Sequence, residues 1–325
     1  MRGNEPTLGQ LGEFPMIDRL VAGRRQPDTT VLGPGDDAAV VRCADGRAAV
    51  STDMLVEGRH FRLDWSTPHQ VGRKAIAQNA ADIEAMGARP TAFVVGFGAP
   101  AHTSAADAAE LADGMWAEAE QLGAGVVGGD LVQADCWVVS VTVLGDLAGR
   151  AAVLRSGARP GATLAVAGDL GRSAAGLRLF SAGVDAADFA ELRLRHLVPQ
   201  PPYGQGAAAA EAGAQAMTDV SDGLLADLGH VATASQVTLE VSTAALAADY
   251  RALEAAAAAV GADAWSWILG GGEDHALIAA FPGDVPAGWR AIGQVLPGPA
   301  RVLVDGAPWD GEAGWQSFDS PGPLP

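Results

Sequence analysis

Several residue types that mark common classes of protein are scarce in this sequence. The chain has two cysteines, Cys43 and Cys136, and neither belongs to a C-x-x-C pair, so neither a zinc site nor a disulfide framework is indicated. The N-terminus lacks the apolar core of a signal peptide, and no apolar run approaches the roughly 20 residues that a membrane span needs. We therefore expect a soluble, cytoplasmic protein.

The motifs of several enzyme classes are missing as well. A Walker A loop requires Gly-Lys, and the only lysine, Lys74, follows Arg73. No G-x-G-x-x-G follows a predicted strand, no G-x-S-x-G occurs, and the histidines are not spaced as metal ligands. The chain therefore offers carboxylates, glycines and arginines but no evident nucleophile, an inventory that suits phosphoryl transfer directed by Mg²⁺.

The charge of the chain is strongly one-sided. Acidic residues outnumber basic ones 39 to 21, which gives a formal net charge of −18. Such a surface repels nucleic acid and anionic lipid, so we expect neither as a partner. With 325 residues, and 49% hydrophobic content, the chain is long enough for two domains. We place the boundary near Gly149, which predicts domains over residues 1–148 and 149–325.

The hydrophobic pattern predicts an α+β protein whose first half contains mostly antiparallel sheet. In that half we predict a β-hairpin of VVR and AAVSTDM that closes at Asp45-Gly46, and a helix that begins after Thr67 and stops at Gly87. The other elements predicted for this half are helices at 13–22 and 104–122 and strands at 91–99, 125–132 and 136–147. The second half is predicted to contain strands at 163–171, 216–221 and 275–281, helices at 173–183, 222–235 and 244–260, and an irregular tail.

The predicted hairpin brings two acidic residues together. If it closes at Asp45-Gly46, Asp37 and Asp53 face each other, with Cβ atoms about 4.5–5.5 Å apart. Two carboxylates at that distance repel each other unless one takes up a proton or a cation lies between them. Mg²⁺ or Ca²⁺ is the natural partner of carboxylate oxygens. The alternative is that both residues are solvated ends of strands.

Other acidic positions add to the metal hypothesis. They are Asp82, which shares a helix side with Lys74 and Gln78; Asp130, after two glycines; Asp219 and Asp222, around Ser221; and Glu273 with Asp274, after three glycines. Each has a simpler interpretation. Asp82 could be a solubilising helix residue, and Asp130 could lie in a β-bulge. The segment around Ser221 and Asp222 could cap a helix, and Glu273 with Asp274 could lie in a flexible turn. Most of them, however, lie at the ends of predicted elements, where α+β folds build sites.

Seven segments resemble, in order, the bacterial thiamine-monophosphate kinases. They are GDDAAVV, STDMLVEGRHF, KAIAQNAADIEAMGARP, GGDLV, LRSGARPG, DVSDGLLADLGHV and GGGEDHALI, and the resemblance covers about residues 12–320. It implies two domains, the first binding ATP and Mg²⁺ and closing a shared barrel with a second subunit in a homodimer, the second α/β and sandwich-like. It also implies direct in-line phosphoryl transfer from ATP to thiamine monophosphate, giving thiamine diphosphate, with several Mg²⁺ ions and no phosphoenzyme.

The resemblance also assigns roles to individual residues, none of them as a covalent nucleophile. Metal ions or their water shells are assigned to Asp37, Ser51, Thr52, Asp53, Asp82, Asp130, Asp219 and Asp222, of which Asp130 and Asp222 are the most critical. ATP contacts are assigned to Gly129, Asp130, Arg155 and Ser221. Substrate contacts are assigned to His60, Glu273 and an aromatic residue near the C-terminus, Trp315 or Phe318, which would stack on the substrate's rings.

Two positions depart from the family pattern. Ala81 occupies the serine position of Asn-x-Ser-Asp, so a hydroxyl is lost beside Asp82. His275 stands where the family commonly has tyrosine.

Two alternatives stay open. Another member of the same superfamily, such as aminoimidazole ribonucleotide synthetase or selenophosphate synthetase, shares the scaffold; the latter would need a reactive cysteine or selenocysteine before Asp36, where this chain has none. A non-catalytic nucleotide- or metal-binding protein would bind ATP without forming thiamine diphosphate.

Overall fold

The structure is a computed structural model that describes residues 6–34 and 38–315. These residues form a mixed α+β protein, and they divide into two compact units. Within the described ranges, unit 1 covers residues 6–83 and 89–148, and unit 2 covers residues 84–88 and 149–315. None of the helices in these ranges is long and apolar enough to cross a membrane.

Unit 1 is built on a four-stranded sheet with the order β3-β6-β4-β5, in which only the β4–β5 pair is parallel. A separate pair, β1-β2, precedes it. The helices α3 and α4 and the strands of the sheet lie close to their predicted positions. The elements are α1 (Leu8–Leu11), α2 (Glu13–Val21), β1 (Thr30–Leu32), β2 (Val40–Val41), β3 (Ala49–Val56), α3 (Pro68–Ala85), β4 (Arg89–Ala99), α4 (Ala105–Gln121), β5 (Gly125–Gln133) and β6 (Val138–Asp146).

The predicted hairpin between β2 and β3 is wrong. β2 pairs with β1, where Val41 faces Thr30, whereas β3 pairs along its whole length with β6. The partner of Asp53 is therefore Val141. The apolar strand β6 offers β3 eight partner residues, while β2 has only two residues. Asp37, the other acid of the predicted pair, lies outside the described residues.

Helix α3 begins and ends where the sequence predicts. Thr67 and Gln70 form a capping box, in which the Gln70 N–H donates to Thr67 Oγ1 (3.2 Å) and the Thr67 N–H donates to Gln70 Oε1 (2.9 Å). After its last turn, Gly87 takes a positive φ of 71°, which suits glycine. On the side of Asp82, Lys74 is buried, and its Nζ donates to the His60 carbonyl at 3.0 Å.

Helices α3 and α4 cross at two glycines. A Cβ on Gly72 would lie 2.1 Å from the Leu111 carbonyl oxygen, and one on Gly114 would lie 2.0 Å from the His69 carbonyl oxygen. Such distances are far inside van der Waals contact, so only glycine allows this approach of the two backbones. The crossing fixes the position of α3, which carries Asp82.

The two faces of the four-stranded sheet differ. One face is buried, through residues such as Leu55, Phe93 and Val141, and α3 packs on it. The other face carries Val50, Met54, Val94 and Val132, whose exposed fractions are 62%, 53%, 37% and 53%. A sheet face with this many exposed apolar side chains is typical of an interaction surface.

Unit 2 contains a six-stranded sheet with the order β12-β9-β11-β7-β10-β8, antiparallel except for the β12–β9 pair. Its interior strands β7 and β10 are almost wholly apolar, and their alternate residues enter cores on both sides of the sheet. The elements are β7 (Thr163–Ala167), α5 (Arg172–Ser181), a 3₁₀ turn (Ala187–Phe189), α6 (Ala190–Leu197), α7 (Gln205–Glu211), β8 (Ala216–Asp219), α8 (Leu224–Ser235), β9 (Thr238–Val241), α9 (Ala247–Val260), α10 (Ala264–Gly270), β10 (Leu277–Phe281), β11 (Arg290–Leu296) and β12 (Arg301–Val304).

Candidate active site

In unit 1, strand β3 and helix α3 bring four of the polar residues together. Ser51 Oγ donates to Asp82 Oδ2 at 2.6 Å, and the Asp53 N–H donates to Asn79 Oδ1 at 3.1 Å. Asn79 is held in turn, because its Nδ2 donates to the Ala75 carbonyl at 2.8 Å. Ser51, Asp53 and Asp82, three predicted metal residues, therefore form one polar group between β3 and α3. Ser51 supplies Asp82 with a hydroxyl partner, although Ala81 does not.

Thr52 does not belong to that group. Strand alternation points it to the opposite face of the sheet, where its Oγ1 donates to the Val141 carbonyl at 3.0 Å and accepts from Thr142 Oγ1 at 3.1 Å. Its predicted role beside a metal ion thus gains no support from its neighbours.

Gly129 and Asp130 lie three strands away from β3. Gly129 shares a row across the sheet with Val95, Val141 and Asp53, at three strand spacings from Asp53, or about 14 Å. A Cβ on Gly129 would lie 2.1 Å from the Val95 carbonyl oxygen, so this position accepts only glycine. Asp130, the next residue, is exposed and points by alternation to the face opposite that of Asp53.

His60 follows β3 in a half-buried loop. Its Nδ1 accepts a hydrogen bond from the Val56 N–H at 3.0 Å, and its carbonyl accepts from the buried Lys74. Because Nδ1 is the acceptor, the neutral ring carries its proton on Nε2. The side chain is therefore oriented by its own strand end.

In unit 2, a short loop of residues 220–223 joins β8 to α8 and carries two predicted site residues, Ser221 and Asp222. One carboxylate oxygen holds it: Asp227 Oδ2 accepts from the N–H groups of Ser221, Asp222 and Gly223 at 3.0, 3.1 and 3.1 Å. The alternative that Ser221 or Asp222 caps the helix is not what the structure shows, since the N-cap is Gly223. Asp227 was missed by the sequence analysis; an acid in the first turn of a helix was the available signal.

The carbonyl groups of the same loop accept hydrogen bonds from two other segments. The Glu273 N–H donates to the Ser221 carbonyl at 2.8 Å, and the Trp315 N–H donates to the Asp222 carbonyl at 2.9 Å. Glu273 and Trp315, both predicted to contact substrate, therefore lie beside the loop that carries predicted metal and ATP residues. Phe318, the other aromatic candidate, lies outside the described residues.

Negative charges are crowded at this loop. Burial raises the pKa of Asp222, the charge of Asp219 raises it further, and the charges of His230, Arg155 and His275 oppose the shift. Burial, with the charge of Asp219, raises the pKa of Asp227 to about 7, although the backbone N–H groups oppose this. Asp219 itself is buried, with Oδ2 3.2 Å from His275 Nδ1.

The crowding of carboxylates shows whether the residues of this loop suit a metal ion. Ligand atoms of Asp222, Asp227 and His230 lie within 4.8 Å of one another, and Asp219 adds its charge nearby. Carboxylate oxygens are the donors that Mg²⁺ prefers. A cation would relieve the repulsion that raises the pKa of Asp222, so the residues fit the predicted Mg²⁺.

Arg155 is exposed, and its charge reaches Asp222. The residues before and after Arg155 in the chain, Leu154 and Ser156, line an open cleft of about 530 Å³. Arg150, Glu211 and Gln215 also line this cleft. This volume is in the range of small-molecule sites.

Behind Glu273 lies a buried polar chain that the sequence analysis missed. Glu273 Oε2 is 3.4 Å from Nδ1 of the buried His196, which is 3.2 Å from Ser173 Oγ. Next to it, Asp274 caps α5 by accepting from the N–H groups of Gly171 and Ser173 at 2.5 and 2.8 Å. Burial raises the pKa of Asp274 to about 7, although these N–H groups oppose the shift.

The fold and the carboxylates of unit 1 define a broad class of protein. Residues 35–147 match the family model described as AIR synthase related protein, N-terminal domain. This match contains β3, α3 and β5, and with them the polar residues of unit 1.

Comparison along the whole chain is more specific. The chain is 72% identical over 316 residues to a thiamine-monophosphate kinase of Mycobacterium tuberculosis (strain ATCC 25618 / H37Rv), covering 97% of this chain and 94% of the relative. It is 46% identical over 321 residues to the thiamine-monophosphate kinase of Corynebacterium glutamicum, covering 96% and 95%. A solved structure of AaThiL complexed with AMPPCP and TMP superposes with a TM-score of 0.76 at 29% identity, covering 95% of this chain and 97% of that one. The chain belongs to the thiamine-monophosphate kinase family.

Proposed function

We propose that this chain transfers a phosphoryl group from ATP to thiamine monophosphate, giving ADP and thiamine diphosphate. The observation that carries the proposal is the 72% identity, over 97% of the chain, to a thiamine-monophosphate kinase. The AaThiL complex with AMPPCP, an analogue of ATP, and TMP supports the same pair of substrates.

The chemistry of the acceptor agrees with the residues at hand. A phosphate monoester has a second pKa near 6 and is largely a dianion at neutral pH, so it attacks without a general base. The protein then has to position two anions and offset their repulsion, a task that needs neither a nucleophilic side chain nor a base. Mg²⁺, when bound, would supply the positive charge that brings the two phosphate groups together.

We assign the metal ions to carboxylates of both units. In unit 2 these are Asp219 and Asp222, whose mutual repulsion supports the assignment. In unit 1 they are Asp53 and Asp82, with Ser51 oriented toward Asp82. The same role for Asp37, Thr52 and Asp130 depends on the resemblance alone.

The remaining assignments divide between nucleotide and substrate. Arg155 beside the open cleft is proposed for ATP, because a guanidinium suits phosphate oxygens. The same role for Ser221 and for the Gly129-Asp130 pair depends on the resemblance. His60, Glu273 and an aromatic residue, Trp315 or Phe318, are proposed for thiamine monophosphate. The backbone hydrogen bond between Trp315 and Asp222 supports Trp315.

We further propose that residues 1–148 form the ATP- and Mg²⁺-binding domain and mediate dimerisation, and that residues 149–325 form the second domain. The exposed apolar face of Val50, Met54, Val94 and Val132 supports a homodimer in which two such sheets close a barrel.

The test is a turnover assay with ATP, Mg²⁺ and thiamine monophosphate, in which thiamine diphosphate is separated and quantified. We expect stoichiometric thiamine diphosphate and ADP. Binding of ATP without this product would favour a non-catalytic binding protein, and turnover of a different acceptor in its place would favour another member of the superfamily.

Asp130→Asn is expected to abolish turnover while leaving folding intact, since Asp130 is exposed and Asn keeps an oxygen that can accept the hydrogen bond from the Leu131 N–H, at 3.0 Å in the wild type. Asp135→Asn is the matched control, because Asp135 is exposed in the same unit. Equal rates for the wild type and Asp130→Asn would remove Asp130 from the site.

A further inference from the structure

We propose that Asp227 is a positioning residue for the phosphoryl transfer: its buried carboxylate fixes the 220–223 loop, and the loop presents Ser221 and Asp222 to the ligands. The inference rests on the proposed function insofar as Ser221 and Asp222 act on ATP and Mg²⁺. Asp227 itself lies in the first turn of α8 and is 1% exposed.

The three hydrogen bonds to Asp227 share one acceptor atom. Three consecutive N–H groups, those of Ser221, Asp222 and Gly223, converge on the same oxygen, Asp227 Oδ2, at 3.0–3.1 Å. Three N–H donors can meet one acceptor only if the loop curls around it, so the carboxylate determines the path of the backbone. When Asp227 is ionised, these bonds are charge-assisted and stronger than bonds between neutral groups.

The 220–223 loop has little room to adopt another path. A Cβ on Gly272 would lie 2.4 Å from the Ser221 carbonyl oxygen, and one on Gly314 would lie 2.7 Å from the Asp222 carbonyl oxygen. On this side the carbonyls are already occupied by the N–H groups of Glu273 and Trp315. Asp227 therefore supplies the acceptor on one side, and neighbouring backbone supplies the donors on the other.

Asp227 holds the loop through a single oxygen. Its Oδ2 is occupied by three N–H donors and faces the loop backbone. Asp222 has its N–H and its carbonyl both engaged, so the backbone at this residue is fixed at two points. Through Oδ2, Asp227 thus fixes the backbone that carries the Asp222 carboxylate, the proposed metal ligand.

The experiment compares Asp227→Asn and Asp227→Ala with the wild type by two measurements. In steady-state kinetics, we expect kcat to fall about 10-fold in Asp227→Asn and about 100-fold in Asp227→Ala, the range typical of residues that orient metal ligands. The Mg²⁺ concentration for half-maximal rate should rise about 10-fold, whereas the KM for thiamine monophosphate should change less than about 3-fold. Asp227→Glu should not restore the rate, because its longer side chain displaces the oxygen.

The second measurement does not depend on turnover. Amide hydrogen exchange of the unliganded protein should show protection of the N–H groups of residues 221–223 in the wild type and its loss in Asp227→Asn. If Asp227→Ala does not fold, the kinetics of Asp227→Asn and the amide exchange of Asp227→Asn and of the wild type still decide the question.

The matched control is Asp263→Asn, since Asp263 also accepts a backbone N–H, from Trp265 at 3.0 Å, at the start of α10 in the same unit. It should change neither the thermal stability nor the Mg²⁺ dependence appreciably, because Asn caps a helix about as well as Asp.

Two failures are distinguishable. If the wild type forms no thiamine diphosphate, the proposed function fails, while the exchange data still decide whether Asp227 fixes the loop. If the wild type is active but Asp227→Asn keeps its Mg²⁺ dependence, or if the wild-type amides of 221–223 exchange as fast as those of an open loop, the positioning role is overturned.

Discussion

The acidic groups of the two units are held in different ways. In unit 1, neutral side chains make the bonds: Ser51 donates to Asp82, and Asn79 accepts from the backbone of Asp53. In unit 2, backbone and charge dominate, because the loop around Asp222 is fixed by hydrogen bonds of its own N–H and C=O groups while Asp219 and Asp227 crowd it. The unit 1 group is an arrangement of hydrogen bonds, and the unit 2 group is a concentration of unfavourable charge.

This difference has a consequence for substitutions. Neutralising an acid in unit 2 removes a metal ligand and also removes the repulsion between neighbouring carboxylates. Activity should therefore fall while stability rises, a trade-off that is common at active sites. Removing a hydroxyl in unit 1 loses a bond that serves both, so activity and stability should fall together.

Within unit 2, the largest effect is expected for Asp222→Asn. Turnover should fall more than about 100-fold, because the variant loses a metal ligand, a larger loss than that of an orienting residue. The melting temperature should stay the same or rise, because burial and the charge of Asp219 disfavour the ionised carboxylate that Asn replaces. Assays of kcat and of thermal unfolding check both parts, and a clear drop in melting temperature would contradict the contrast drawn between the units.

An intermediate effect is expected for Ser51→Ala. When Ser51 loses its hydroxyl, Asp82 loses a hydrogen-bond donor that lies 2.6 Å from its Oδ2. We therefore expect kcat to fall about 10-fold and the free energy of unfolding to fall by about 1–3 kcal/mol. Thr91→Val is the matched control, since Thr91 has no assigned role and its hydroxyl donates to the Leu144 carbonyl at 3.1 Å in strand β4 of the same sheet. We expect kcat of Thr91→Val within about twofold of the wild type; an equal loss in the two variants would mean that the Ser51 hydroxyl acts on the fold and not on the site.

At Asp274, an effect is expected in stability alone and not in activity. Its pKa of about 7 in the folded protein lies above the value near 3.9 of an unfolded aspartate, so the folded state binds more protons between about pH 4 and 7. Stability should therefore fall as pH rises through this window, by up to roughly 4 kcal/mol, since one pH unit corresponds to about 1.4 kcal/mol.

Urea unfolding at pH 5 and pH 8 measures this dependence. Asp274→Asn has no charge to desolvate, so the difference between the two pH values should shrink, whereas Asp263→Asn at the surface should keep the wild-type difference. An unchanged pH dependence in Asp274→Asn would mean that its two N–H partners outweigh its burial.

The sequence predicts the elements of unit 1 better than their pairing. Periodicity and caps located α3 between Thr67 and Gly87, because these signals are local. The partner of β3 is not local: its ladder with β6 joins residues about 90 positions apart, and a nearby turn signal at Asp45-Gly46 favoured the wrong strand. The resemblance, and not the predicted hairpin, assigned Thr52 the same role as Ser51 and Asp53, although strand alternation separates Thr52 from them.

In unit 2, the acids of the site were found and the residues that hold them were not. Asp219, Asp222 and Glu273 follow strand ends or glycines, which sequence shows directly. Asp227 and His196 act through contacts that exist only after folding, and α6, which carries His196, was not predicted. A residue that orients another has no chemical signature of its own in the sequence, whereas a ligand has one.

The crossing of α3 and α4 at Gly72 and Gly114 extends the site's requirements into the scaffold. A methyl group at either position would need more than an ångström of additional space, since ordinary contacts begin near 3.4 Å, and the helix would shift with Asn79 and Asp82 on it. In a saturation mutagenesis library selected for activity, these two codons should therefore remain glycine as strictly as the acidic ones, although neither residue carries a functional group.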